Sequence, residues 1–352
     1  MAEVHEGLEG VVVTQTVLSR VDGEAGRLVI AGADVETLAR TSTFEQAVAR
    51  IFHAAAIPSD DIEARIREGR ERAFAMASRL EPALSCAEPM VALRTAVDLF
   101  GADIAEDPAR IVGALGFVAA VHVRGSVIAP SSAGHAKDML RIISGDVNLE
   151  ARAKALDAYL VTVMDHGMNA STFAARVVAS TASDVLSCIA AALAALKGPL
   201  HGGAPGPVLD MLDAIGSPEN AQAWLEGEIA AKRRIMGMGH RVYRVRDPRA
   251  AVLESACGRL EAAGVTSARL PLARAVEKTA RDILASRYPN RSLDTNVEFY
   301  TAILLDTAGI PRTHFSAMFA AGRVAGWLAH VAEQRAKGRL IRPESEYIGA
   351  MP

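Results

Sequence analysis

Most of this chain is built from runs in which apolar residues return every three or four positions, and that helical period leaves little room for another architecture. Phe44 to Ala56, Asp60 to Leu80, Met90 to Phe100 and Pro108 to Val123 each keep an apolar face at this spacing. Leu149 to His166 and Ala170 to Ala195 continue it, with Ala, Ser and Gly where helices could approach closely. Helix-start signals stand at Thr41-Ser-Thr-Phe-Glu, Pro58-Ser-Asp-Asp and Glu106-Asp-Pro. Strand patterns are confined to Gly10 to Leu18 and Gly26 to Ala31, which read as an N-terminal hairpin. The expectation is therefore an all-α protein with one short hairpin, not a doubly wound sheet.

Bulk properties exclude several function classes. With 38 basic against 41 acidic residues the net charge is −3, and no basic stripe marks a polyanion partner. Aromatics make up only 5% of the chain, too few for base stacking to be its main business. The longest nearly apolar run, Ile111 to Val123, contains a His and two Gly and falls short of the ~20 residues a bilayer span needs. The opening Met-Ala-Glu-Val-His-Glu has no signal-peptide pattern. Cys86, Cys188 and Cys257 lie far apart with no metal-ligand spacing, as buried reduced thiols would. The expected class is a soluble cytoplasmic globular protein with no bound metal.

Three segments carry chemistry. In Leu196-Lys-Gly-Pro-Leu-His-Gly-Gly-Ala204, His201 follows an apolar helical run, and Gly202 and Gly203 would let backbone approach a ligand. By itself this segment also suits a helix-to-helix turn with an exposed His. The second is Ile235-Met-Gly-Met-Gly-His-Arg-Val-Tyr-Arg244 with Asp247-Pro-Arg249, and the third is Thr295-Asn-Val-Glu-Phe-Tyr300.

In this order the three segments resemble the citrate synthase family, and the resemblance extends over most of the chain. Gly7 to Val11 with Ser19 to Gly26 is similar to the family's opening strands, and Asp165-His-Gly-Met-Asn-Ala-Ser-Thr-Phe173 to its central helix segment. Phe319-Ala-Ala-Gly-Arg323, Gly326-Trp-Leu-Ala-His330 and Arg339 to Arg342 are similar to its closing segment. The resemblance implies a large helical domain, residues 1–204 plus 310–352, and a smaller inserted one at 205–309, with the site in the cleft between them. It implies condensation of oxaloacetate with acetyl-CoA and water to citrate and CoA, coenzyme A entering as a co-substrate thioester with no permanently bound cofactor. The alternatives are 2-methylcitrate synthesis from propionyl-CoA and a weakly active paralogue that binds CoA or a dicarboxylate.

Carried over position by position, Glu298 matches the base, His201 the imidazole that stabilises the enol, and His240 the donor to the ketone oxygen. Glu298 stands where the family usually has Asp, one methylene shorter. His166, Arg249 and Arg323 match dicarboxylate-binding positions, and Arg342 matches an arginine lent by the partner subunit of a homodimer. On the coenzyme A side the matches are Arg244, Arg291, Gly237 and Gly239. The run Lys232 to Arg234 is read as a solvated face. Pro205, Ile30-Ala31 and Glu88 are further departures from the family pattern, and the last is read as harmless.

Overall fold

The computed structural model describes residues 4–8, 10–147, 149–201, 205–240 and 243–351. Three antiparallel strands open it: β1 (Ser19–Asp22), β2 (Arg27–Ile30) and β3 (Ala33–Asp34), in that order across the sheet, with Ser19 opposite Ile30 and Asp22 opposite Arg27. Helices follow: α1 (Val35–Thr41), α2 (Phe44–Ala54), α3 (Ile62–Ala75), α4 (Ala77–Leu84), α5 (Pro89–Leu99), α6 (Ala102–Ala105), α7 (Pro108–Arg124), α8 (His135–Ser144) and α9 (Glu150–Val163). Then come α10 (Ala170–Ser180), α11 (Val185–Leu196), α12 (Pro205–Ile215), α13 (Ala221–Ala230), α14 (Pro248–Ala262), α15 (Arg269–Arg287), α16 (Val297–Thr307) and α17 (Phe315–Lys337). The fold is all-α with a small N-terminal sheet. Among the described residues no helix is long and apolar enough to cross a membrane.

Side-chain caps mark several starts that the sequence signals. Thr43 accepts from Gln46 N in a reciprocal capping box for α2, and Asp107 accepts from Ala109 N with Pro108 in the first turn of α7. Three expectations need correction. Gly10 to Leu18 is not a strand, nor are the described residues of Gly7 to Val11: Val12 and Val17 are 84% and 67% exposed, so the apolar alternation there has no layer to cover, and among the described residues pairing starts at Ser19. Asp60 to Leu80 divides at Met76, where the backbone leaves helical geometry (φ −100°). Ala170 to Ala195 is two helices, separated by Ala182 at φ +62° and restarted by Asp184, which accepts from Ser187 N.

The last helix organises the core. Trp327 on α17 is wholly buried, and α17 packs on α9, α10, α7 and α11. Small residues set its approach to α9: a Cβ on Gly326 would lie 2.2 Å from the Met164 carbonyl oxygen, and one on Gly322 would lie 2.7 Å from a Val163 methyl. This contact brings Arg323 against the C-terminal end of α9, just before Asp165 and His166.

Candidate active site

Asn296 holds two of the three motif segments together. As N-cap of α16 its Oδ1 takes the Glu298 N–H at 3.0 Å, while its Nδ2 donates to the Gly239 carbonyl at 2.8 Å. Backbone bonds from Asn296 N to Gly237 O (2.9 Å) and from Gly239 N to Asp294 O (2.7 Å) complete the seam. Glu298, in the first turn of α16, and His240 are thus fixed relative to one another. Gly237, at φ +76°, faces Phe299 instead of the cleft, and a Cβ there would lie 2.7 Å from that ring. A side chain at this glycine would collide with that ring, so the seam itself requires Gly here. Gly239 does line the cleft.

His240 is oriented by main chain. The Tyr243 N–H donates to its Nδ1 at 3.1 Å, and Arg249 Nη2 stands 3.3 Å from its Nε2. Arg249 is almost wholly buried and is gripped two-pronged by Asp247, with Nε to Oδ1 at 3.0 Å and Nη2 to Oδ2 at 2.8 Å. Asp247 Oδ2 also accepts from Val297 N at 3.2 Å, tying this pair to the start of α16.

On the facing wall Arg323 is fully buried. Its Nε donates to the Val163 carbonyl, and its Nη2 donates to His166 Nδ1 at 2.6 Å, which leaves the His166 proton on Nε2. Beneath lies a buried polar chain: Asp165 meets the Ser19 hydroxyl and His330 Nε2, and His330 Nδ1 accepts from Arg176, itself paired with Glu333 at 2.7 Å. His201 Nε2 stands 2.8 Å from the Ser171 hydroxyl and 3.4 Å from the Ser171 backbone nitrogen. Trp327 Nε1 donates to the same hydroxyl at 3.2 Å, and Asn169 Oδ1 lies 2.8 Å from it.

Electrostatics match this geometry. Burial pushes the Glu298 carboxyl up to about 7, against the pull of Arg249 and Arg323. Burial, with Arg323 nearby, lowers His201 to about 4; burial, with Arg249 beside it, does the same to His240. His166 is held well below its ordinary value, by burial first and then by Arg323. At neutral pH all three imidazoles are uncharged and can donate without adding charge.

These groups meet in one cleft of about 1630 Å³ whose lining includes His166, His201, His240, Arg249 and Glu298. Its outer part carries Arg244 and Arg291, both exposed, together with Lys232, Arg233 and Arg234. The Lys232 to Arg234 run is therefore part of the cleft wall and not merely a solvated face. Leu8, Val11 and Val13 also line the cleft, a position their mistaken strand reading concealed. Arg342 lies exposed beyond α17 and is not brought to this cleft. Gly202, Gly203 and Ala204 of the first motif, and Arg241 and Val242 of the second, lie outside the described residues. Sequence reading missed Ser171, Trp327 and the Asp165–His330 pair. The motif runs contained them, but only the fold shows which face of each helix meets the cleft.

The family model described as citrate synthase, C-terminal domain, matches residues 7–344. The citrate synthase of Deinococcus radiodurans is 33% identical over 99% of this chain and 97% of its own length. The crystal structure of citrate synthase from Thermotoga maritima is similar with a TM-score of 0.85 at 33% identity, covering 99% of this chain and 97% of that one. A ternary complex of carboxymethyl coenzyme A and oxaloacetate with citrate synthase from Thermoplasma acidophilum gives a TM-score of 0.87 at 27% identity, covering 100% and 98%.

Proposed function

The chain belongs to the citrate synthase family, and from that premise we propose that it condenses oxaloacetate with acetyl-CoA and water, releasing citrate and CoA. The observation that carries this reading is Glu298: a cleft carboxyl pushed up to about 7, sharing its cavity with three neutral imidazoles and a buried arginine. A carboxylate so tuned is matched to removing a weakly acidic proton near neutral pH.

In the proposed sequence Glu298 takes a proton from the acetyl methyl group while His201 donates to the thioester oxygen. The Ser171 N–H, which can only donate, supports Nδ1 of His201 as the proton-bearing nitrogen. The enol carbon then bonds to the ketone carbon of oxaloacetate as the enol proton returns to His201, and the ketone oxygen, held by Arg249, becomes a hydroxyl by taking a proton from His240. His166 and Arg323 hold the substrate carboxylates, and Arg342 of a partner subunit completes the clamp in a homodimer. Water then cleaves the C–S bond of the bound citryl thioester, and the CoA sulfur leaves with a proton. Arg244 and Arg291, with the Lys232 to Arg234 run, meet the phosphates of coenzyme A at the outer end.

Residues 205–309 would form the smaller domain. They carry His240, Arg249 and Glu298, whereas His166, His201 and Arg323 belong to the larger, so closure would bring the two sets together and expel water. Propionyl-CoA remains the second acyl donor to weigh, since one extra methylene is worth only about 1–3 kcal/mol of discrimination.

The test is release of free CoA thiol by wild type and Glu298→Gln, given oxaloacetate with either thioester. Turnover that collapses in the Gln variant supports the synthase with Glu298 as base, and the acyl preference decides between citrate and 2-methylcitrate. CoA binding without thiol release from either protein would leave a binding paralogue.

A further inference from the structure

Three neighbouring groups around the cleft have hydrogen-bonding capacity that the fold leaves unused. The Tyr159 hydroxyl is fully buried and has no hydrogen-bond partner among the described residues. Arg323 Nη1 is likewise buried and without a partner among the described residues, although Nε and Nη2 are both engaged. The Glu298 carboxylate takes part in no hydrogen bond among the described residues, its backbone N–H alone being held by Asn296.

Their placement is not accidental. Tyr159 lies on α9, which packs against both α16, bearing Glu298, and α17, bearing Arg323. It sits one helical turn before Val163, whose carbonyl holds Arg323. Burial is the main cause that holds its phenol well above the usual tyrosine range, the charge of Glu298 adds to the rise and that of Arg323 opposes it, so both groups are within electrostatic reach. A guanidinium can only donate, a carboxylate can only accept, and a phenol does both. One order satisfies all three.

We propose that Tyr159 is a positioning residue that links clamp to base, with Arg323 Nη1–H donating to Tyr159 Oη and the Tyr159 O–H donating to Glu298 in the substrate-bound cleft. The inference rests on the reading of Glu298 as base. The relay would serve this chain in particular because Glu has one more rotatable bond than Asp, and a donor behind the carboxyl restricts where the longer side chain aims its oxygen. Rates respond to misplacement of about 1 Å by on the order of a hundredfold.

A hydrogen bond to a carboxylate favours its charged form, so removing it raises the acid's pKa. The experiment compares pH profiles of kcat/KM for the full chain as wild type and Tyr159→Phe, with oxaloacetate and acetyl-CoA. In the Phe variant the acid limb is expected to move up by about one pH unit and kcat to fall about tenfold, while the oxaloacetate KM changes less than about threefold. A superimposable profile overturns the relay. Should the Phe variant melt far below wild type, 3-fluorotyrosine placed at position 159 decides the matter. Its stronger donor is expected to move the limb down, and an unmoved limb overturns the proposal. Glu298→Gln separates the two readings: full activity there sinks the base itself, whereas a dead Gln variant beside an unshifted Phe variant sinks only the relay.

Discussion

Ser171 meets Nε2 of His201 twice, through its hydroxyl at 2.8 Å and through its own backbone N–H at 3.4 Å. The hydroxyl has one proton and two acceptors in reach, Nε2 and Asn169 Oδ1, whereas the N–H has no choice of direction. Ser171→Ala removes the first contact and keeps the second. If main chain fixes the His201 tautomer, the variant should lose about tenfold in kcat, the scale of one neutral hydrogen bond, with little change in either KM. A loss as deep as that of His201→Ala would mean that the hydroxyl, and not the backbone, places the proton.

Glu298 ties activity to stability. Its carboxyl titrates at about 7 in the folded chain against an ordinary 4.5, so the folded state retains a proton that the unfolded chain has released. The stabilising contribution is therefore complete below about pH 4.5 and is lost as pH rises through 7. At pH 8 the wild type bears the cost of a buried carboxylate that Glu298→Gln does not. The inactive Gln variant should melt a few degrees higher at pH 8, with the gap closing towards pH 5. For the wild type, kcat/KM should fall about tenfold per pH unit below 7 as the base protonates. Calorimetry and rate profiles check both, and a Gln variant that melts lower at pH 8 would refute the electrostatic account.

How much of this was legible in the chain depends on the kind of signal. Helical periodicity gave the fold class, and the motif residues His166, His201, His240, Arg249 and Glu298 do share one cleft. Helix breaks were illegible where no Gly or Pro announces them. Met76 leaves helical geometry without such a signal, and Ala182 takes φ +62°, a conformation rarely assigned to alanine from sequence. The Val11 to Val13 run looks like a strand because β-branched residues favour extended chain, yet strand formation also needs a partner. At Gly237 the sequence implies a close approach without saying of what, and the fold shows that Phe299 is one neighbour that a side chain there would meet.

The α9–α17 contact offers a test remote from the chemistry. Gly326→Ala would set a methyl 2.2 Å from the Met164 carbonyl, a backbone atom that cannot swing aside. Overpacking of this kind costs roughly 1–3 kcal/mol, and relief by separating the helices would carry Arg323 away from His166. The expected result is a Tm lower by several degrees together with weaker oxaloacetate binding and an acetyl-CoA KM that barely changes. Equal weakening towards both substrates would mean that the whole cleft, not one wall, had moved.

The outer cations separate binding from chemistry. Arg244 and Arg291 are exposed on the cleft wall, distant in role from Glu298, and face solvent that salt can screen. An exposed charge pair is worth on the order of 0.2–1 kcal/mol, so each Arg→Ala change should raise the acetyl-CoA KM by about two- to fivefold and leave kcat alone. Wild-type KM should rise with ionic strength, and the double variant should show a shallower rise because fewer contacts remain to be screened. That salt slope is the discriminating readout, since a steric disturbance of the cleft would raise KM equally at all ionic strengths. A fall in kcat at unchanged KM would instead move these arginines from the phosphates of coenzyme A to the closing of the cleft.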